Sequence, residues 1–409
     1  MSDLQIFPIS IPGGIEQSRP VPEPTDLEEL QNFAIYRNRL GLRAPLATVA
    51  TILNNAGTPA AVDSIIDITE HDGKMYILSY DDDLNQIGLH SMQVDGSSLT
   101  YHANVYTSVS TKPDLMMVSI TAGDATSSQD RLYICDYNQN LATVYWNGSS
   151  IVALTQDFDA NSSAEAVKFS LMTTFNFSLW GTGFFEGSTL RPEMIRVSQP
   201  GLIPFTDPAG GTNPREFHST HHESFGRRGD KIVALSQAGD RLIVFQKRAT
   251  HSLYGSGVDS YTTQQVSNVI GAVGPRAVTS VDERVCYFWA SDGPYRTDGV
   301  SLQYIGDPIR QLAVEVDASE ADTRVGYSPD DGLVYFIVSE GGANKYDLAL
   351  IFDHRNERWM KTQWLVGSSD PAEFGALAFM DSISAPAPAA PPSSFAATAT
   401  GQSTIDLSW

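Results

Sequence analysis

The sequence predicts an all-β fold, a β-propeller of about six blades with an extended N-terminal arm. Three hairpin signals carry this prediction: Asp95-Gly96, Asn147-Gly148 and Asp298-Gly299. Gly148 lies 52 residues after Gly96, and Gly299 lies 151 residues after Gly148, close to three further steps of about 50. Asp-Gly and Asn-Gly pairs supply the positive φ angles of tight hairpins, so the repeated unit is a β-meander.

Composition supports a turn-rich β protein and limits its functions. The 409 residues are 42% hydrophobic and include 32 Gly and 22 Pro, while runs with helical period are scarce. The net charge is −22, from 48 acidic and 26 basic residues. Such a charge disfavours ordinary nucleic-acid binding, which needs basic patches. It is compatible with a wall along which DNA slides without sticking, and equally with solubility of a secreted or structural protein.

Residues 1–60 form the predicted N-terminal arm. Prolines keep much of this arm extended, Asp26–Phe33 is predicted as a short helix capped by Thr25, and Ile35–Arg43 as a strand pair or extended segment. Such an arm either threads over a propeller face or binds a neighbouring subunit. The start, Met1–Leu4, has no basic region before an apolar run, so we expect no signal peptide, no membrane span and synthesis in a reducing cytoplasm.

The propeller is assigned to residues 61–382. Six short segments rich in β-branched and aromatic residues are interpreted as the first, inner strands of the blades: Lys74–Leu78, Arg131–Cys135, Thr174–Trp180, Arg241–Phe245, Arg284–Phe288 and Leu333–Ile337. Degenerate copies of the hairpin signal are placed at Gly201, near Ala249 and near Asn356. A last strand, Glu373–Met380, is expected to complete the first blade and close the ring.

Two short segments follow the propeller. Residues 383–392 are a Pro/Ala linker, and residues 393–409 resemble the opening of a fibronectin type III module, with Leu407 and Trp409 in its second strand. Because the sequence stops at Trp409, we expect this module to be truncated here and the natural protein to be longer. The two cysteines, Cys135 and Cys286, fall three repeats apart and are predicted to be buried free thiols on opposite sides of the ring.

Three constellations invite a chemical interpretation. His218, His221, His222 and Glu223 could bind zinc, with His218 reaching in from a turn, although a polar loop is the more ordinary interpretation. Asp81-Asp82-Asp83 with Asn85 could bind calcium but lacks the pattern of a calcium loop, which favours a solvated turn. Five tryptophans could stack on sugars or fill the core: Trp146, Trp180, Trp289, Trp359 and Trp364. We therefore predict no catalytic, cofactor-binding or metal-binding residue, and no cofactor.

Several local patterns resemble one family, the propeller-bearing tail proteins of tailed bacteriophages, including the nozzle (tail tube) proteins of short-tailed phages. The patterns are Ile11–Ile15, Leu30–Phe33 and Leu40–Arg43 in the arm, Gly239–Lys247 with His251–Gly255, Gly271–Val278 with Ser291–Gly299, and Leu350–Trp359. Pro294 and Ala44 depart from the family pattern.

The resemblance implies a non-enzymatic structural role in the virion tail. Such proteins form a homohexameric ring below the portal or adaptor, contact fibre or spike proteins, and extend the channel through which DNA passes without specific binding. An acidic lumen would then explain the net charge. Two alternatives stay open: a receptor- or glycan-binding propeller adhesin on the virion, and a propeller glycosidase, for which no carboxylate pair stands out.

Overall fold

The computed structural model describes most of the region between Ile52 and Thr362. The described residues are 52–54, 61–93, 98–120, 131–156, 165–176, 178–198, 217–226, 229–255, 260–317, 323–329, 331–340 and 348–362. Eight short strands outside these ranges are also defined: Gly14–Ile15, Asp26–Leu27, Phe33–Tyr36, Arg39–Leu42, Leu365–Val366, Asp370–Pro371, Ala396–Ala399 and Ile405–Ser408.

Six antiparallel sheets follow one another along the chain and form a six-bladed β-propeller. Blades 1 to 3 consist of Ser64–His71, Lys74–Asp81, Gln86–Gln93 and Thr100–Thr107; Leu115–Ile120, Arg131–Asp136, Val144–Trp146 and Ile151–Ala153; and Leu171–Phe175, Ser178–Glu186, Thr189–Ser198 and Phe217–Ser224. Blades 4 to 6 consist of Ile232–Ala238, Arg241–Gln246, Thr250–Tyr254 and Thr262–Ser267; Val278–Val281, Val285–Ala290, Gly293–Thr297 and Leu302–Tyr304; and Arg324–Ser328, Leu333–Glu340, Leu348–Asp353 and Arg358–Thr362.

Short elements fill some of the connections between blades. Thr155–Gln156 pairs with Glu165–Ala166 between blades 2 and 3. A single turn of 3₁₀ helix, Asp307–Ile309, and a short α-helix, Arg310–Glu315, lead from blade 5 to blade 6. The next strand, Val316–Asp317, pairs with the end of the second strand of blade 6. Among the described residues, no helix is long and apolar enough to cross a membrane.

Five of the six apolar segments interpreted as first strands coincide with the second strands of their blades, so the assignment to first strands was wrong. A second strand lies between two others and packs on both faces against neighbouring blades, and this double burial gives it a continuous apolar sequence. Arg131–Asp136 is buried at five of six positions, whereas the first strand of the same blade, Leu115–Ile120, alternates. Thr174–Trp180 spans the turn between the first two strands of blade 3.

Two of the three hairpin signals are confirmed as turns between third and fourth strands. Gly148 and Gly299 have φ of 89° and 85°. Asn147 Oδ1 accepts hydrogen bonds from the Ser149 and Ser150 N–H groups, and Asp298 Oδ1 accepts from Val300 and Ser301. The turn near Asn356 has the same position, but the turn at Ala249 joins the second and third strands of blade 4 instead. Asp95-Gly96 and Gly201 lie outside the described residues.

The core is divided among the interfaces between successive blades. Separate apolar clusters join blades 1 and 2, 2 and 3, 3 and 4, 4 and 5, and 5 and 6. Cys135 in blade 2 and Cys286 in blade 5 are free and buried, as predicted, and burial raises the pKa of each thiol to about 12.

In the segments that flank the propeller, some of the predictions made from the sequence are confirmed and others are wrong. Phe33–Tyr36 and Arg39–Leu42 form the expected strand pair. The helix predicted over Asp26–Phe33 is wrong, because Asp26–Leu27 pairs in parallel with Gly14–Ile15. Ala396–Ala399 pairs with Ile405–Ser408 in the predicted fibronectin-like segment. The linker and Glu373–Met380 lie outside the described residues, and blade 1 already has four consecutive strands.

Candidate functional site

The propeller has two faces, which differ in the loops they carry. The upper face holds the loops between second and third strands and the connections between blades, and the lower face holds the remaining turns. First strands of successive blades pack side by side and surround the axis. Five of the charged residues that precede or belong to first strands are connected by ion pairs or electrostatic interactions: Asp67, Lys112, Asp114, Arg276 and Arg324. We call this set the bore mouth.

Arg276 joins opposite sides of the propeller. It precedes the first strand of blade 5, and its Nη1 donates a hydrogen bond to the carboxylate of Asp114, beside blade 2. Its Nη2 donates to the carbonyl oxygen of Leu115 in blade 2. Its Nε lies 3.8 Å from Oδ1 of Asp67 in blade 1. One guanidinium therefore connects three blades across the axis.

The glycine-rich segment before Arg276 fixes the position of this arginine. A Cβ on Gly271 would lie 1.8 Å from the carbonyl oxygen of Gln246, so only glycine fits there. Two residues later, the Val273 N–H donates to the Trp289 carbonyl at 3.0 Å. Because both ends of the segment are held against blades 4 and 5, Arg276 is directed toward the axis.

Burial controls the ionisation of the acidic and basic groups in the bore mouth. It raises the pKa of Asp67, although Arg276, the Met117 N–H and Arg324 all oppose the shift. The Met117 N–H donates to Asp67 Oδ2 at 2.8 Å. Burial also lowers the pKa of Lys112, with further lowering from Arg324 and Arg276 and an opposing effect from Asp114. The bore mouth therefore holds opposite charges close together at partly buried positions.

A second polar cluster lies near the lower face of blades 1 and 2. His71 Nδ1 is 2.9 Å from Ser119 Oγ, and Tyr76 stacks on His102 with ring centroids 5.6 Å apart. The His102 ring also contacts Trp146, at 5.0 Å. Because His71, Tyr76 and Trp146 are buried, this cluster packs the blade interface and offers little surface to a ligand.

Among the described residues, no group of three or more His, Cys, Asp or Glu side chains is placed to hold a metal ion. His218 and His221 belong to strand Phe217–Ser224, so His218 does not reach in from a turn. The side chains of His218 and His221 lie outside the description, and that of His222 is exposed. Asp81 Oδ1 accepts from the Leu84 N–H at 2.7 Å and so closes the predicted acidic turn.

The tryptophans fill the core. Trp146, Trp180, Trp289 and Trp359 are all buried, and Trp364 lies outside the described residues. Trp359 Nε1 donates to the Ile305 carbonyl at 2.9 Å, and Trp180 Nε1 donates to the Phe175 carbonyl at 3.0 Å. The core interpretation of these four residues is confirmed.

Sequence reasoning missed the bore mouth. One signal was present at Asp67, a charged residue inside the apolar run Ile65–Ile68. Arg276 lies in the segment Gly271–Val278, where nothing in the local sequence indicates its partner. Its role could not be found from sequence, because its partner Asp114 is 162 positions away.

No protein-family model and no curated protein matches the chain. Solved structures with a similar fold include YCF48 bound to D1 peptide (9% identity, TM-score 0.42, 73% of this chain and 81% of that one). A protein from Lactobacillus plantarum is similar at 12% identity and a TM-score of 0.45, over 75% of this chain and 86% of that one. AztD from Citrobacter koseri is similar at 7% identity and a TM-score of 0.40, over 77% and 76%.

Proposed function

We propose that this chain is a non-enzymatic structural component of the tail of a short-tailed bacteriophage. It would be one subunit of a homohexameric ring below the portal or adaptor, in contact with fibre or spike proteins. The proposal starts from the resemblance of residues 10–380 to that family. The structural observation that supports the proposal is a protruding ribbon of two strands in blade 3.

The ribbon is the upper end of the second and third strands of blade 3. The first strand pairs with the second only as far as Thr182, and the fourth strand pairs with the third from Met194 onward. Residues 184–186 and 189–191 therefore continue as a pair of strands beyond their described neighbours. Phe185 and Leu190 face each other across this ribbon and are 38% and 42% exposed. Paired exposed apolar side chains on a protrusion suit a protein contact.

An ion-pair network supports the ribbon. Glu186 accepts hydrogen bonds from Arg191 Nη2 and from Arg196 Nη2, each at 2.9 Å. The Arg196 guanidinium is buried and lies 4.6 Å from the centroid of the Phe184 ring. Because this network fixes the ribbon before binding, less conformational entropy is lost when a partner is bound.

The net charge of −22 fits the same role. In a ring that surrounds passing DNA, an acidic wall repels phosphates and disfavours arrest of the DNA. The adhesin alternative receives less support, because the four described tryptophans are buried and give no aromatic platform for a sugar.

The assembly state of the purified chain tests the proposal. We expect mass photometry and electron microscopy of the wild type to show sixfold rings. We expect Phe185→Ser with Leu190→Ser to shift the population toward monomers with an unchanged circular dichroism spectrum. Val300→Ser is the control, because Val300 is 52% exposed in a turn on the lower face. A wild type that stays monomeric at every concentration, or a double variant that assembles like the wild type, contradicts the proposal.

A further inference from the structure

The outer strand of blade 6, Arg358–Thr362, contacts the N-terminal arm. Two separate strands of the arm, Gly14–Ile15 and Phe33–Tyr36, lie beside it. Within the described part of the chain, Arg358–Thr362 pairs with a single strand, Leu348–Asp353, and ends its sheet. An edge strand of this kind leaves backbone N–H and C=O groups available to another segment of chain.

The arm joins the propeller beside blade 6. Near the end of the arm, the Ile52 carbonyl oxygen accepts a hydrogen bond from the Val62 N–H at 3.0 Å, and Ile52 packs against Ile77 of blade 1. Blade 1 adjoins blade 6 in the ring, where Asp67 of blade 1 and Arg324 of blade 6 interact electrostatically. The arm is therefore attached close to the edge that its strands contact.

The arm has the composition of a binding segment. Residues 1–51 contain six prolines, which favour an extended backbone over a compact core. Its strand pair, residues 33–43, contains three arginines and no acidic residue, in a chain of net charge −22. Opposite charge therefore attracts this segment to the surface of a propeller, whether that of its own chain or that of a second copy.

The length of the arm allows it to reach a neighbouring subunit. Leu42 and Ile52 are ten residues apart in the chain, which corresponds to a reach of at most about 35 Å. The same two surfaces can therefore meet within one chain or between two chains. Exchange of an identical element between subunits is a low-cost route to assembly, and repetition of one head-to-tail contact closes a ring.

We propose that the arm of one subunit binds the outer strand of blade 6 in the next subunit, so that the partner of this edge is a second copy of the chain. This contact rests on the proposed function, because it is one of the contacts of the proposed ring. It is separate from the blade 3 ribbon, which contributes exposed apolar side chains, and it uses the edge of a sheet.

Cross-linking of the full chain tests the proposal. Ile15→Cys with Lys361→Cys places one thiol in the arm and one in the outer strand of blade 6, and a flexible bismaleimide joins thiols that lie close together. Cys135 and Cys286 are buried and burial raises their pKa values, so they do not compete. We expect a ladder of covalently joined chains on a denaturing gel. Cross-links confined to single chains, or no cross-links, overturn the proposal.

Ile15→Cys with Thr263→Cys is the matched control, since Thr263 is exposed on the outer strand of blade 4. We expect about tenfold fewer cross-links between chains in the control, because binding of the arm to blade 6 raises the local concentration of only the first pair of thiols. Equal yields in the two variants overturn the assignment to blade 6.

Mass photometry of the same samples separates this proposal from the proposed function. Sixfold rings whose cross-links stay within single chains overturn the exchange of arms and leave the ring intact. Cross-links between chains in an assembly that is not sixfold support the exchange and contradict the tail ring.

Discussion

Arg276 donates a hydrogen bond to Asp114, 162 positions earlier in the chain, and thereby ties blade 5 to the opposite side of the propeller. The same guanidinium donates to the Leu115 carbonyl and lies 3.8 Å from Asp67. This arginine therefore links blade 5 directly to blade 2, which is not its neighbour in the ring.

Replacement of Arg276 by Gln is expected to destabilise the native protein by about 3 kcal/mol, because it leaves two partly buried carboxylates without their guanidinium partner. The side chain of Arg276 is only 15% exposed. Urea denaturation followed by tryptophan fluorescence measures the change. Arg310→Gln is the control: Arg310 is 64% exposed and pairs with Asp307, and we expect a loss below about 0.5 kcal/mol. Equal losses in the two variants would contradict the bracing role of Arg276.

Asp67→Asn is expected to raise the urea midpoint at pH 7. Because the pKa of Asp67 is raised in the native state, the native carboxyl keeps its proton at a pH where the unfolded chain loses it. Ionisation of Asp67 therefore costs stability as the pH rises above the unfolded value of about 3.9. Asparagine keeps an acceptor for the Met117 N–H and removes this cost. The gain should vanish at about pH 3, below both pKa values; a gain that is the same at both pH values would rule out this explanation.

His90 makes the stability of the native state fall as the pH decreases, which is opposite to the effect of Asp67. Burial lowers the pKa of His90 to about 4, and Ser79 Oγ lies 2.9 Å from its Nε2. The unfolded chain binds a proton near pH 6.5 and the native chain does not, so stability falls as the pH drops from 6.5 to 4. We expect His90→Gln to reduce this loss by about 2 kcal/mol. Urea denaturation at pH 7 and pH 4.5 measures it, and parallel pH profiles for wild type and variant would refute the assignment.

The sequence predicted the repeat better than the position of strands within it. The hairpin pairs at Asn147 and Asp298 depend on local φ angles and side-chain caps, which a sequence shows directly. The apolar segments were assigned to the wrong strand because burial by neighbouring blades, and not proximity to the axis, gives a strand its apolar pattern. The short helix over Asp26–Phe33 failed because sheet pairing overrode local propensity.

The bore mouth could not be predicted because it depends on ring geometry. Lys112, Asp114 and Arg324 are ordinary charged residues in their local sequence, next to Pro113 or Thr323. Only the arrangement of the first strands of blades 1, 2, 5 and 6 around one axis brings them together. The blade 3 ribbon was likewise hidden, because its exposure depends on where the neighbouring strands stop pairing.

Gly271→Ala is expected to be far more damaging than alanine at a glycine in an open turn. A Cβ at Gly271 would lie 1.8 Å from the Gln246 carbonyl and 2.8 Å from the Ala249 carbonyl, and neither backbone oxygen can move without displacing the turn of blade 4. We expect a loss of at least about 3 kcal/mol, or a failure to fold. Gly73→Ala is the control: Gly73 has φ of 66° with no atom within 4 Å, so only backbone strain of about 1 kcal/mol applies. Thermal denaturation of both variants measures the difference.

The same segment directs Arg276 to the axis. If the Gly271→Ala protein folds, adding Arg276→Gln to it should therefore cause no further loss of stability. A Gly271→Ala protein as stable as the Gly73→Ala protein would show that Gln246 and Ala249 do not hold the glycine-rich segment before Arg276 in place.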